Sequence, residues 1–307
     1  MTITGRPPPL SAAQLRWGIE QWVAFLKDKE IPVLQPTQEF IRALRAHSFE
    51  TDEPLSPKEL SDFASNDPYL ALKLLRQAEQ RRSRRLGNET TTPLAAVLQT
   101  GVDELFKLID RSSIITETHP GWHVCTSRAV MAANIARAWS SFRADVSPDE
   151  ISLAALLSES GELLLWHFAP ELPIKALDEL NAGRAFRTTA AQQQVAGFTF
   201  KQLTLTLAQS WELPALIGML IRGTDTARAN IARLAIDTAR HIMADYQNPA
   251  LPSDIINIKV VLPGISLDRL ISPLPLPDDQ KAAILEAVRQ ETTVTTDPTV
   301  SPQQPPP

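Results

Sequence analysis

Four times in the first half of the chain a capping residue is followed at once by proline: Ser56-Pro57, Asp67-Pro68, Thr92-Pro93 and Ser147-Pro148. Proline fixes φ and lacks an N–H, which suits it to the first helical position and few others. The residue before it supplies an oxygen for the orphan N–H groups of the first turn, a contribution of about 1 kcal/mol. Two of the four continue as capping boxes, Ser56-Pro57-Lys58-Glu59 and Ser147-Pro148-Asp149-Glu150, and Ser11-Ala12-Ala13-Gln14 is a weaker third case. Glycine is scarce, at 11 of 307 residues, and period-two alternation is rare. A chain that announces helix starts so often and shows so few strand signals is predicted to be all-α.

The segments after these caps carry helical stripes. Leu70, Leu74, Leu75 and Ala78 follow Asp67, and Leu94, Val97, Leu98, Val102, Leu105, Phe106 and Ile109 follow Thr92. From Ser127 the face is Val130, Ala133, Ile135, Ala136 and Trp139. The run Ile151 to Trp166 is apolar nearly all round except Ser158, Glu159, Ser160 and Glu162, which predicts one central buried helix. Leu203, Leu207 and Trp211 continue the pattern to Pro214, and Ile217 to Ile221 and Ile231 to Met243 supply two more helices.

The ends differ in character. Residues 1–30 read as an arm in which 11–30 form an amphipathic helix with Trp17, Trp22, Phe25 and Leu26, packing on the main domain or on a partner. From Pro249 onward the chain holds 11 of its 25 prolines, which argues against regular packed helices there. Ile255 to Val261 is a short strand or an extended docking segment, and Asp278 to Gln290 one last helix. Residues 292–307, rich in Thr, Pro and Gln, are expected to be disordered. The division is thus arm 1–30, main domain 31–248, extension 249–291 and tail 292–307.

Composition removes several function classes. A net charge of −5 implies no general affinity for nucleic acid or an anionic membrane. The local exception, Arg81-Arg82-Ser83-Arg84-Arg85, is a solvated loop or a site for a phosphate or acidic partner. One cysteine, Cys125, permits no internal disulfide, and a cytoplasmic setting is expected; its apolar helical surroundings make it a structural thiol. There is no secretory signal, no segment of the roughly 20 apolar residues needed to span a bilayer, no glycine-rich phosphate loop and no Cys/His cluster.

Five stretches, in order, resemble the HDOD domain, the HD-related output domain of bacterial signalling proteins. Ile31-Pro32-Val33-Leu34-Gln35-Pro36 is similar to its proline-bearing opening segment. Ser65-Asn66-Asp67-Pro68-Tyr69-Leu70-Ala71-Leu72-Lys73-Leu74-Leu75 resembles its Ser-Asp-Pro-x-Leu-x-x-Lys-Leu-Leu helix start, the most specific match. Thr92 to Gly101 resembles the next element, Leu153 to Leu165 occupies the place of the apolar run with His-Asp-x-Gly, and Gly197 to Pro214 resembles Gly-x-x-His…Trp-Gly-Leu-Pro. The resemblance covers roughly residues 31 to 248. It implies an HD-like helical bundle, here with an N-terminal helical arm and a proline-rich C-terminal extension.

It also implies where metal ligands would stand in catalytic HD relatives, and there the chain departs. The first position falls at His123 or, in better register, Val124; the His-Asp pair is Ser158-Glu159; a later histidine is Phe200; a His-rich turn is Gly223-Thr224-Asp225; the last aspartate is Asp237. Serine is a poor ligand, and two competent ligands on distant helices do not hold a catalytic metal. His123, Val124, Ser158, Glu159, Phe200, Asp225 and Asp237 are therefore read as a vestigial site, with no catalytic residue, metal or cofactor expected. Asp237 is expected to be buried and paired with an arginine or a capping donor, and Glu159 and Glu162 to be held by donors such as His123. The implied role is non-catalytic signal transduction by binding signalling proteins, with a small ligand in the old pocket as a further partner. Trp17, Trp22 and Phe25, the arginines Arg81, Arg82, Arg84 and Arg85, and the proline-rich tail are the candidate contact surfaces. The alternatives are a phosphohydrolase or phosphodiesterase rebuilt on His123, Glu159, Glu162 and Asp237, and a nucleotide sensor without turnover.

Overall fold

A computed structural model describes residues 9–51, 55–82, 89–115, 119–223 and 226–294. Of the residues singled out above, Ser83, Arg84, Arg85, Thr224 and Asp225 lie outside this set, as do residues 1–8 of the arm and the tail from residue 295. No helix among the described residues is long and apolar enough to cross a membrane.

The fold is all-α. After a single 3-10 turn (Gln14–Arg16) come α1 (Ile19–Leu26), α2 (Gln35–Thr51), α3 (Pro57–Ala64), α4 (Pro68–Arg81), α5 (Pro93–Thr100) and α6 (Val102–Asp110). Strands β1 (Val33–Leu34) and β2 (Ile114–Ile115) pair in parallel, Val33 opposite Ile114, and tie the start of this unit to its end. Then follow α7 (Pro120–Ser140), α8 (Pro148–Leu157), α9 (Ser160–Phe168), α10 (Glu171–Asn181) and α11 (Thr188–Ala196). Last come α12 (Phe200–Ser210), α13 (Ala215–Arg222), α14 (Ala227–Ala244), α15 (Leu251–Val261), α16 (Leu267–Ile271) and α17 (Asp278–Val294). The long helix α7 lies at the centre, packed against α8 and α14. Its small face, Ala129, Ala132, Ala133 and Ala136, is fully buried and lets the neighbours approach closely.

The predicted caps form with one exception. Asp67 accepts from the N–H groups of Tyr69 and Leu70, Thr92 from that of Ala95, and Ser147 from that of Glu150. Ser56 makes no side-chain cap bond, and Glu150 accepts from Thr91 Oγ1 rather than closing its box. The weaker case, Ser11 with Gln14, is fully reciprocal (2.9 and 3.2 Å) but starts only the 3-10 turn. Pro120 repeats the device: His119 accepts from Gly121 N–H at 3.1 Å and stacks on Trp166.

The Asp67–Lys73 motif holds three elements together. Asp67 is 2 % exposed and also accepts from Thr37 on α2; burial still pushes its carboxyl up. Tyr69 donates to the Leu163 carbonyl at 3.0 Å and accepts from Trp122 Nε1 at 2.8 Å. Lys73, itself buried, donates to the Ile31 carbonyl, to Ser112 and to Glu30. These residues fix α4 against the opening segment and α9.

Three stretches differ from the sequence expectation. The arm at 11–30 is broken at Trp17-Gly18, and its helix packs on α12; Arg76 of α4 donates to the Lys27 and Lys29 carbonyls, and Trp211 Nε1, just past α12, to the Lys27 carbonyl at 2.9 Å. The stripe after Thr92 is two helices, turned at Gly101 with φ +83°, so Leu98 ends up 63 % exposed. The extension from Pro249 is helical rather than irregular, and Ile255 to Val261 is α15, not a strand. Pro252 sits in the first turn of α15, and Pro263, Pro273, Pro275 and Pro277 lie in the connections, where no helical N–H is missed. Ile255, Ile258, Leu270 and Leu274 are buried with Trp139, Ile231 and Ala235, and Trp139 Nε1 donates to the Leu270 carbonyl at 2.9 Å.

Candidate functional site

The central helix predicted over Ile151 to Trp166 is interrupted at Ser158-Glu159. Helix α8 ends at Leu157 and α9 begins at Ser160. The interruption is satisfied locally and from α12. Ser158 Oγ donates to the Ala155 carbonyl (2.7 Å), Thr204 Oγ1 donates to the Ser158 carbonyl (3.2 Å), and Gly161 N–H donates to Thr204 Oγ1 (2.9 Å). Gly161 is required by contact rather than by φ: a Cβ there would stand 2.6 Å from the Phe200 carbonyl oxygen and 2.8 Å from Thr204 N. The junction aims Glu159 and Glu162 together at α7.

There they meet Arg128. Its Nε and Nη2 bind the two oxygens of Glu159 at 3.0 and 2.9 Å, a fork-to-fork pair, and Nη2 reaches Glu162 at 3.1 Å. The three side chains are 12–14 % exposed. Trp166 Nε1 lies 3.4 Å from the other Glu162 oxygen, and Cys125 Sγ lies 3.7 Å from Arg128. Burial works against each charge, but with unequal results. For Glu159 the Arg128 charge and hydrogen bonds more than offset it, and the carboxyl is held below its usual range. For Glu162 burial prevails, because Arg128 pulls its carboxyl down while Glu159 pushes it up. Arg128 is held well above its ordinary value despite burial, by the two carboxylates. Burial and the Glu162 charge drive the Cys125 thiol well up, so it stays protonated.

This cluster is the floor of an open cavity of about 480 Å³. Of the vestigial positions, Ser158, Glu159, Phe200 and Asp237 all line it. Phe200 is 3 % exposed, and its N–H donates to Gln192 Oε1 at 2.9 Å. Asp237 is paired as expected, with Arg240 at 3.0 Å and Arg233 at 3.4 Å, but it is half-exposed rather than buried. His123 and Val124 are not part of the site. Both are exposed on α7, His123 lying edge-on to Trp122, because the α7 residue that lines the cavity is Arg128, later in the helix. The donor holding Glu159 and Glu162 is therefore Arg128, not His123. The sequence did carry a signal for it: Arg128 is a lone charge between Cys125 and Ala129 on an otherwise apolar face.

An HD-type metal does not fit these residues. The remaining three-donor group, Cys125, Glu159 and Glu162, has ligand atoms within 4.8 Å of one another. Its thiol is protonated by its surroundings, and both carboxylates are engaged by a guanidinium that an incoming cation would have to displace. The rebuilt site of His123, Glu159, Glu162 and Asp237 is not assembled either, since His123 faces away.

The expected contact surfaces are partly absorbed by the fold. Trp22 is 1 % exposed and belongs to the core; Trp17 and Phe25 are half-buried and pack on it with ring centroids 5.1 and 5.8 Å away. Arg81 donates to the Thr100 carbonyl and pairs with Glu104, and Arg82 lies 2.8 Å from Glu79.

No curated protein matches the chain. Among solved structures, it resembles a virulence factor from Campylobacter jejuni (16 % identity, TM-score 0.65, covering 87 % of this chain and 97 % of that one). It also resembles the MmoQ response regulator from Methylococcus capsulatus (17 % identity, TM-score 0.57, 84 % and 99 %). At these identities the likeness is one of fold. The family model described as HDOD domain matches residues 36–226, from the start of α2 to the approach to α14. That match takes in the Asp67 motif, the α8–α9 junction and most of the cavity, and it shows that the chain belongs to the HDOD domain family.

Proposed function

We propose that this protein is a non-catalytic regulatory member of its family, acting through binding rather than turnover. One observation carries the reading: Arg128 forks onto Glu159 and reaches Glu162, so the carboxylates at the old metal position already have a resident cation. The other vestigial positions supply an apolar ring at Phe200, a hydroxyl spent on the helix break at Ser158 and a carboxylate shared by two arginines at Asp237. None is a group that could activate water or accept a proton from it at neutral pH without first losing its partner.

A signalling role leaves the outer surface and the open cavity as the working parts. The second reading, a sensor that binds a small molecule without turnover, is favoured by that cavity having remained open instead of filling with side chains. The test is hydrolysis of a chromogenic phosphodiester by purified protein supplied in turn with Mn²⁺, Mg²⁺ and Zn²⁺. The expected result is no rate above that of the buffer with metal; turnover that disappears in Glu159→Gln overturns the proposal. Affinity capture from the native host tests the other half: recovery of a reproducible partner is expected, and repeated failure counts against it.

A further inference from the structure

The cavity described above has two levels of charge. On the floor, Arg128 is matched by Glu159 and Glu162. Around the rim stand Arg187, Lys201, Arg233 and Arg240, and the only rim carboxylate among the lining residues is Asp237, already shared between Arg233 and Arg240. His241, the remaining titratable lining residue, is engaged by Asp254 at 2.6 Å. Among the described residues no carboxylate pairs with Arg187, and Lys201 has only the Arg222 carbonyl at 3.4 Å. The cations feel one another: partial burial lowers the Lys201 pKa, Asp237 opposes that, and Arg240 and Arg233 add to the lowering.

Neutral donors are turned to the same space. Thr188 and Thr189 open α11 at the cavity wall, and the N-cap of that helix, Arg187, offers no side-chain bond to its first N–H groups. Gathering like charges around a concave opening costs free energy that a bound counter-charge removes, and such a cleft concentrates anions from solution. None of the four rim cations is a position that the family resemblance singles out.

We infer that the rim of this cavity is a binding site for a small multivalent anion, held by Arg187, Lys201, Arg233 and Arg240 over the neutralised floor. Phosphoryl and carboxylate groups share that chemistry. The inference rests on the non-catalytic reading of the floor, since a metal there would recruit the anion differently.

The test is calorimetric titration of the full chain with pyrophosphate and, in a separate arm, with citrate, at ionic strength held constant with NaCl. Saturable binding in one or both arms is expected; pyrophosphate alone assigns a phosphoryl ligand, citrate alone a carboxylate. Loss of one charge-assisted contact weakens binding roughly tenfold, and that loss is expected in Arg187→Ala and again in Lys201→Gln. Both side chains are exposed, and thermal melts without ligand confirm that the variants fold. No saturable heat in either arm, or undiminished binding in both variants, overturns the inference. Phosphate release from pyrophosphate in the same samples with Mn²⁺ would instead overturn the non-catalytic reading while upholding the anion site.

Discussion

The floor and the rim of the cavity are built from the same residue types to opposite effect. On the floor one arginine meets two carboxylates, nearly buried and in hydrogen-bonding geometry. On the rim four cations are exposed to solvent beside one carboxylate, which two of them share. A compensated buried cluster holds helices in place but has no capacity left for a ligand, whereas an uncompensated open one contributes little to stability and retains that capacity. On the non-catalytic reading proposed above, the floor serves as structure and binding falls to the rim.

That contrast can be broken most easily at Arg128. Replacing it by leucine leaves Glu159 and Glu162 buried without a partner, and breaking such a pair costs about 3–5 kcal/mol; urea unfolding should show it. A loss under 1 kcal/mol, within the usual range for surface changes, would mean that the floor is solvated like the rim. Next is Gly161→Ala. Its Cβ meets the backbone of α12, which has no rotamer to yield, so an overpacking cost of about 1–3 kcal/mol is expected, read in the same way.

The two glutamates sharpen the comparison through pH. Glu159 has its carboxyl held low in the folded state, so its contribution is present above the unfolded-state value and lost as pH falls through the folded one. Glu162 is held high, so folding gains as pH falls through its raised value. Stability profiles should therefore respond oppositely: Glu159→Gln flattens the acid loss, and Glu162→Gln steepens it. Identical profiles for the two variants would show that the pair is not differentiated. The smallest effect belongs to the rim. Lys201→Gln removes a charge that its neighbours disfavour, and stability should stay within about 0.5 kcal/mol of wild type; a larger loss would mean that the rim is structural too.

The parts of the fold that were legible in the sequence depend on local chemistry. Asp67, Thr92 and Ser147 cap their helices because the oxygen and the N–H groups it serves lie within three residues. The family's Trp-Gly-Leu-Pro was also readable, but with Glu212 in place of glycine; its φ of +53° shows why glycine suits the position. What was not legible depends on distant partners. The break at Ser158-Glu159 has no helix-stop residue to announce it, because Thr204, far along the chain, satisfies it. Ile255 to Val261 looks like a strand by its β-branched run, yet burial of one face against α14, α16 and α17 selects a helix. Of the positions named for the site, Ser158, Glu159, Phe200 and Asp237 line one cavity, while the α7 contribution was sought at His123, five residues before Arg128. Arg187, Lys201, Arg233 and Arg240 come from three separate parts of the chain, and no spacing in the sequence links them.

Equilibrium dialysis of the wild-type protein against Mn²⁺ and Zn²⁺ tests most directly whether Arg128 has taken the place of a metal. No saturable binding of either ion to the wild type is expected. One tightly held equivalent, lost on Glu159→Gln, would contradict it.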